Sequence, residues 1–564
     1  MDVTSARRAW LPRRYALDVR HALLLITGLF FFVIILYPLG HVLYRSLISN
    51  GLLSLANYRA VFLTPANYRA LWNSIWVSTC STVIAMAVGT LLALLVVRTD
   101  IPCKGFLRIL LLLPYGIPPF IGAIAWTQLF GPAGYISKLY MALTGAGQVP
   151  WNVYSPGGVV LVLAVYQFPV VFITVSGALG RIDTTLEEAA RIAGAGLVRT
   201  MLDITVPLVT PAILAGSLLA FVGCISNFGI PALLGFRSRF FVLTTRIYSA
   251  LSIPNIPLAT AMSVVLTGVS AAALVFQRRL EKGQQKYTLI AGKSVSPQTI
   301  NLRGWRIPML MATISVTFFL SVTPIVSMLI TSVLNYWGAP LILASMTLGH
   351  YKYIARLDMV RRAFANSLFL GIASATITMA VGTFVSYMSV RGKLRSAAIL
   401  DLLGTVPYAL PCTVIAIAMI LTWSRGPVVL YGTIWVMLAA YLVRYMPFSI
   451  RTTNATLKQV HPSLEEAARV SGAGWLQGMR DVVLPLTKPG LIAGWILVFM
   501  PAFRELTMSI LLWSQGTETI GVAIYNMQDA GYTQIAAALS TIVLLVVLAG
   551  NILVRRLSRG RIGL

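Results

Sequence analysis

Two stretches of the chain carry the same polar signature, Leu-Glu-Glu-Ala-Ala-Arg at 186–191 and again at 464–469. In each copy a glycine stands four residues after the second alanine (Gly194, Gly472), and a proline thirteen residues beyond that (Pro207, Pro485). Thr185 and Ser463 precede the carboxylate pairs Glu187-Glu188 and Glu465-Glu466 where an N-cap would stand, and Glu188 and Glu466 fall three residues later, a capping-box pattern. Ala189-Ala190 and Ala467-Ala468 favour helix and leave a smooth surface. Gly194-Ala195-Gly196 and Gly472-Ala473-Gly474 would end that helix and turn the chain. A second short helix is expected to run until Pro207 and Pro485 break it. The chemistry is recognition: a compact helix–turn–helix with small residues where another protein could approach closely.

Little else in the sequence could do chemistry. A phosphate-binding loop needs a glycine five residues before Gly-Lys-Ser; Gly292-Lys293-Ser294 supplies the end, but Tyr287 occupies the place of the first glycine. No soluble segment is long enough for a nucleotide-binding domain. Cys80, Cys224 and Cys412 fall in apolar runs and Cys103 in a short basic loop, without metal-ligand spacing or a disulfide framework. The four histidines (His21, His41, His350, His461) lie near span ends or in loops, and no Ser/His/Asp set accompanies them. No catalytic residue and no metal site are expected, and no cofactor is expected to be bound by the chain.

The elements that must position the twin motifs are membrane helices. The chain is 57% hydrophobic and 11% charged, with mean hydropathy +0.82. A soluble protein of this length needs more polar surface. Apolar runs of about 20 residues recur, each long enough to cross a bilayer as a helix. The expected fold is an all-α polytopic membrane protein of about twelve transmembrane helices. The predicted limits are 22–44, 73–97, 108–130, 157–179, 212–235 and 256–276, then 307–330, 365–390, 397–421, 430–451, 491–513 and 534–554. The first run follows five arginines but is too long for a signal peptide and lacks a small-residue cleavage site. A net charge of +28 would suggest nucleic acid in a soluble protein. Here the basic residues flank apolar runs, about 30 on one side and about 12 on the other, which places both termini in the cytoplasm and argues against a nucleic-acid partner.

The chain is internally repeated. Met-Ala-Val-Gly-Thr occurs at 86–90 and 379–383; Asn73-Ser74, Arg98, Pro114-Tyr115 and Pro118 recur at the same offset as Asn366-Ser367, Arg391, Pro407-Tyr408 and Pro411. Later matches, including Pro169 with Pro447, are closer by 15 residues, a shortening in the outer loop after the third span. Two six-helix units therefore follow one another. The expected division is an N-terminal segment 1–21, a first unit 22–276 with its loop 185–212, a linker 277–306, a second unit 307–554 with its loop 463–490, and a tail 555–564. Parallel repeats of this kind place a solute path between the halves. The paired prolines predict kinks in the third and fourth spans. In the fifth spans Asn227 aligns with Glu505 and Ser226 with Arg504. A charge so deep in a span should face protein or water, so Asn227 and Glu505 are candidate path residues.

The twin motif resembles the EAA loop of ABC importer permeases: Glu-Ala-Ala, three residues, Gly, nine residues, Ile-x-Leu-Pro. The first copy matches through Glu188, Ala189, Ala190, Gly194, Ile204, Val206 and Pro207; the second through Glu466, Ala467, Ala468, Gly472, Val482, Leu484 and Pro485. Val206 and Val482 are the mild departures. The resemblance covers nearly the whole chain as two fused units of the type I importer fold. It implies a transport subunit in a bacterial inner membrane, a short coupling helix seated in a groove of an ATPase, two copies of that cytoplasmic ATPase holding the ATP and Mg, and a periplasmic solute-binding protein. Asn-Phe-Gly-Ile-Pro-Ala-Leu-Leu-Gly (227–235) and Phe-Arg-Glu-Leu-Thr-Met-Ser-Ile-Leu-Leu (503–512) resemble the ferric-iron branch. That implies ferric iron as solute, with polyamine, 2-aminoethylphosphonate or thiamine after it. An ion-coupled secondary transporter of two six-helix repeats is the alternative.

Overall fold

The computed structural model describes residues 19–49, 51–182, 185–253, 255–284, 299–392, 394–425 and 427–557. The expectations for most of the N-terminal segment, the middle of the linker, including Tyr287 and Gly292-Lys293-Ser294, and the end of the tail lie outside those residues.

Among the described residues nine helices are long and apolar enough to cross a membrane: His21–Ser46, Pro65–Arg98, Pro156–Leu179, Met201–Ile225, Ile256–Gln277, Arg303–Val333, Asp358–Val390, Trp475–Phe503 and Thr533–Gly550. The expected third spans are instead sharply broken. Lys104–Gly116 meets Pro119–Thr144 at 102°, and Arg395–Ala409 meets Cys412–Trp423 at 110°. A single proline kinks a helix; here Ile117-Pro118 and Leu410-Pro411 both adopt extended angles, because a residue before proline is pushed out of the helical region. The helix Ile434–Leu457 is long enough to span, but it carries Arg444 and Arg451 and falls outside the nine. Among the described residues the nine helices and the two bent pairs occupy eleven of the expected places, and Ile434–Leu457 occupies the twelfth. Pro169 and Pro447 lie inside unbroken helical segments.

The fifth spans also differ from expectation at both ends. They stop at Ile225 and Phe503, and short helices Gly229–Gly235 and Ser509–Leu512 follow a break. At the other end Pro207 and Pro485 do not interrupt the chain. Each sits two residues past a π-helical turn, Met201–Thr205 or Met479–Val483, in which the residue before the proline donates its N–H to a carbonyl five residues back. Pro38 and Pro324 in the first spans follow π turns Phe32–Leu36 and Phe318–Val322 in the same way. The wider turn shifts the hydrogen-bond register just where proline has no N–H to give, so the helix passes through.

The repeated pentapeptide has a packing cause. A Cβ on Gly89 would lie 2.7 Å from the Phe168 carbonyl oxygen, and one on Gly382 would lie 2.9 Å from the Ser449 Cβ. Only glycine lets the second helix of each unit meet the fourth this closely. Ser81 and Ser386 add hydroxyl bonds to the Val160 and Ile450 carbonyls at 3.0 and 3.1 Å. The repeated Asn-Ser pair pins the loop after the fifth span. Asn73 and Asn366 donate to carbonyls of Phe241 and Glu518, while Ser74 and Ser367 accept the N–H groups of Leu243 and Ile520.

The two units exchange their first helices. Val19–Phe31 packs on Arg395–Thr405, with Phe31 against Gly404, and Arg306–Thr317 packs on Lys104–Gly116. Buried apolar side chains of both units consequently share one large core, beside a smaller cluster that joins Val42 and Leu243 to Ile417.

Candidate functional site

The twin loops fold as the same local structure. The first short helix is Thr185–Ile192 or Ser463–Val470. Each ends in a left-handed glycine, Gly194 or Gly472, both at φ +86°. Gly194 N–H bonds to the Arg191 carbonyl and Ala195 N–H to Ala190; Gly472 and Ala473 bond to Arg469 and Ala468 at the same 3.0 and 2.9 Å. This is a Schellman turn, and a non-glycine residue at that φ costs about 1 kcal/mol. The capping expectation fails at the second copy. Ser463 is the first helical residue, Pro462 is the cap residue and makes no side-chain cap, and Ser463 instead bonds to His461 Nδ1 at 2.7 Å. Thr185 likewise lies inside its helix.

The carboxylate pair divides by function of position. Glu187 and Glu465 point inward and are buried. Glu187 pairs with Arg98, the last residue of the second helix, and accepts the Thr205 hydroxyl at 2.7 Å. Glu465 pairs with Arg391 at 3.0 Å and accepts the Tyr387 hydroxyl at 3.0 Å. Arg391 also donates to the carbonyls of Leu457 and Val460. These glutamates of the twin motif anchor each loop to the second span. Arg98 and Arg391 were visible in the sequence as a repeated pair, but nothing local named their partners. At the first loop the end of the linker joins in: Ile300 N–H bonds to the Arg98 carbonyl at 2.7 Å, and Asp100 N–H to the Ile300 carbonyl at 3.0 Å.

What faces outward is different. Glu188 is half-buried, while Glu466, Ala189, Ala467, Gly194 and Gly472 are exposed, and Ala190 and Ala468 are half-buried. Apolar side chains flank the alanines. Leu186 and Leu464 are each 46% exposed, and Ile192 and Val470 are 88% and 90% exposed. Each eight-residue helix thus leaves both its ends apolar and open. Pro207 and Pro485 lie beyond, in the fifth helices.

The candidate path residues are brought to one region by the helix breaks. Asn227 Oδ1 accepts the Ile230 N–H at 3.0 Å, and Glu505 Oε1 accepts the Met508 N–H at 3.0 Å, so each side chain braces the turn between the break and the short helix that follows. Tyr445 donates to Glu505 Oε2 at 3.3 Å. The breaks face each other across the units: a Cβ on Gly229 would sit 3.6 Å from Leu506, and Phe228 meets Tyr525 at 6.3 Å between ring centroids. Among the described residues no group of three or more His, Cys, Asp or Glu could hold a metal ion.

Comparison with known proteins agrees with this architecture. The family described as binding-protein-dependent transport system inner membrane component matches residues 85–286 and again 378–562. The chain is 25% identical over 550 residues to a probable ABC transporter permease protein, y4fN, of Sinorhizobium fredii, covering 93% of this chain and 94% of that one. It is 27% identical to the Fe(3+)-transport system permease protein FbpB 2 of Haemophilus influenzae, covering 86% and 89%. It is 24% identical to a putative 2-aminoethylphosphonate transport system permease protein of Salmonella paratyphi A, covering 41% and 86%. A solved bacterial alginate ABC transporter aligns with 46% of this chain and 97% of its own at TM-score 0.37 and 17% identity. With the family's unit found twice in one polypeptide of membrane-spanning helices, this chain belongs to the binding-protein-dependent ABC transporter permeases, in the form that fuses two units in tandem.

Proposed function

We propose that the chain forms the whole translocation path of an inner-membrane importer and contains no ATPase of its own. Both termini and both loops face the cytoplasm. Each loop seats in one copy of a separate ABC ATPase that holds the ATP and Mg, and a periplasmic solute-binding protein delivers the cargo at the opposite face. The observation that carries this reading is the matched pair of loops. Two short helices, each anchored from beneath by a buried Glu–Arg pair, expose the same apolar ends. Glu188, Ala189, Ala190 and Gly194, with Glu466, Ala467, Ala468 and Gly472, form the docking surface; Glu187 and Glu465 hold it in place. Ferric iron is the first choice of solute, since relatives named for ferric transport match over most of the chain. Polyamine, 2-aminoethylphosphonate and thiamine follow. An ion-coupled carrier is the reading to exclude: solute uptake should stop when cells are depleted of ATP and continue when an uncoupler collapses the proton gradient. The reverse pattern would reject the proposal.

A further inference from the structure

The broken helices free backbone carbonyls inside the membrane, and two guanidinium groups reach them. Arg504 donates to the Gly116 carbonyl, at the break in the first unit's third span. Arg444 lies 3.4 Å from the Leu410 carbonyl, at the corresponding break in the second unit. The Gly116 break follows a 13-residue helix, about 20 Å long against a hydrocarbon core of about 30 Å. Glu505 adjoins Arg504 in sequence, and Tyr445, whose hydroxyl it accepts, adjoins Arg444. Glu505 is itself fixed by the Met508 N–H and the Tyr445 hydroxyl. None of the three side chains is fully covered, and Arg504 reaches from one unit to the other. The first unit has Tyr166, Ser226 and Asn227 at the equivalent positions, so the charged set belongs to the second unit alone.

Membrane interiors tolerate such groups where they line a path or pair with one another. Two guanidiniums against one carboxylate leave an excess positive charge, and each guanidinium has donors beyond the one spent on a carbonyl. Planar forks of this kind match phosphonate and carboxylate oxygens in bidentate fashion. We propose that Arg444 and Arg504, held by the carbonyls at the two breaks with Glu505 beside them, form a solute-contact station for anionic oxygen groups where the two units meet. This rests on the permease reading and sharpens it. An organic phosphonate fits the station directly, and ferric iron fits it only as a polycarboxylate chelate, with its oxygens outward. Bare polycations are repelled.

The test is equilibrium binding to the full chain in lipid nanodiscs, which needs no ATPase, so its failure is separable from failure of the transport reading. The probes are 2-aminoethylphosphonate, ferric citrate and, as the cationic control, putrescine. One of the two anionic probes should bind and putrescine should not; which one binds distinguishes the phosphonate from the chelate. Arg444→Gln and Arg504→Gln should each weaken that binding at least tenfold. Arg444→Lys, which keeps the charge and loses the fork, should fall between. Thermal melting of each variant near the parent value excludes a folding defect. Binding of putrescine, binding of neither anionic probe, or parent-like affinity in both glutamine variants with parent-like melting would overturn the proposal.

Discussion

Arg98→Met strikes the first docking loop at its anchor. The side chains of Arg98 and Glu187 are 2% and 4% exposed, so solvent does not screen the pair. Removing the cation leaves the carboxylate buried, with the Thr205 hydroxyl as its remaining bonded partner among the described residues. Stranding one member of a buried pair costs about 3–5 kcal/mol. The exposed pair Arg199–Asp203, at 79% and 63% exposure on the same loop, is worth about 0.2–1 kcal/mol at most, so Arg199→Met serves as the control. A short helix of eight residues cannot absorb the larger cost through its own hydrogen bonds. It should leave its seat, and if only about 1.4 kcal/mol of the cost appears in docking, ATPase affinity falls tenfold. The double variant Arg98→Met/Glu187→Met removes both charges at similar volume, a change that is often neutral or stabilising by about 1–4 kcal/mol. The assay is capture of the ATPase subunit by the detergent-solubilised chain over a concentration series. Arg98→Met should lose at least tenfold, Arg199→Met should match the parent, and the double variant should recover most of the loss. Parent-like capture by Arg98→Met, or a double variant as poor as the single, would show that the pair does not seat the loop.

Other outcomes follow from the same geometry. Ile192→Asp with Val470→Asp changes two side chains about 90% exposed, so melting should hold while ATPase capture is lost; retained capture would place the socket elsewhere. Gly194→Asp and Gly472→Asp, which meet no neighbour within 4 Å but force φ +86° on a residue with a Cβ, should cost about 1 kcal/mol locally and abolish transport without preventing membrane insertion, as read by uptake and by membrane fractionation. Gly382→Leu drives a side chain into Ser449 and Ile450 and should destabilise the second unit by about 1–3 kcal/mol, seen as a lower melting temperature in detergent. Glu505→Gln keeps an acceptor for the Met508 N–H but removes the charge; solute uptake should fall, and unchanged uptake would take Glu505 off the path.

The duplication and the twin loops could be read from residue order because they depend on local spacing. Glycine four residues after an alanine pair is a turn whatever surrounds it. The fifth-span breaks were hidden for a physical reason: the spans 212–235 and 491–513 stay apolar on average although Ser226-Asn227 and Arg504-Glu505 stand at the breaks, and hydropathy records the membrane, not the backbone angle. The same blindness let Pro207 and Pro485 pass for helix ends, since a π turn leaves no mark in composition. The division of labour within Glu187-Glu188 and Glu465-Glu466 was also illegible. Which carboxylate turns inward depends on Arg98 and Arg391, brought beneath the loops by the glycine-tight packing of the second helix on the fourth. The repeat had flagged both arginines; only the fold joined them to their glutamates.

On this proposal the two loops are seats for a motor made by another polypeptide. Proteoliposomes holding this chain and its solute-binding partner, with ATP inside and with or without the ATPase subunit, test that directly. Solute should accumulate only where the ATPase is present, with two ATPase copies recovered per chain. Accumulation against a gradient in vesicles without the ATPase would contradict it.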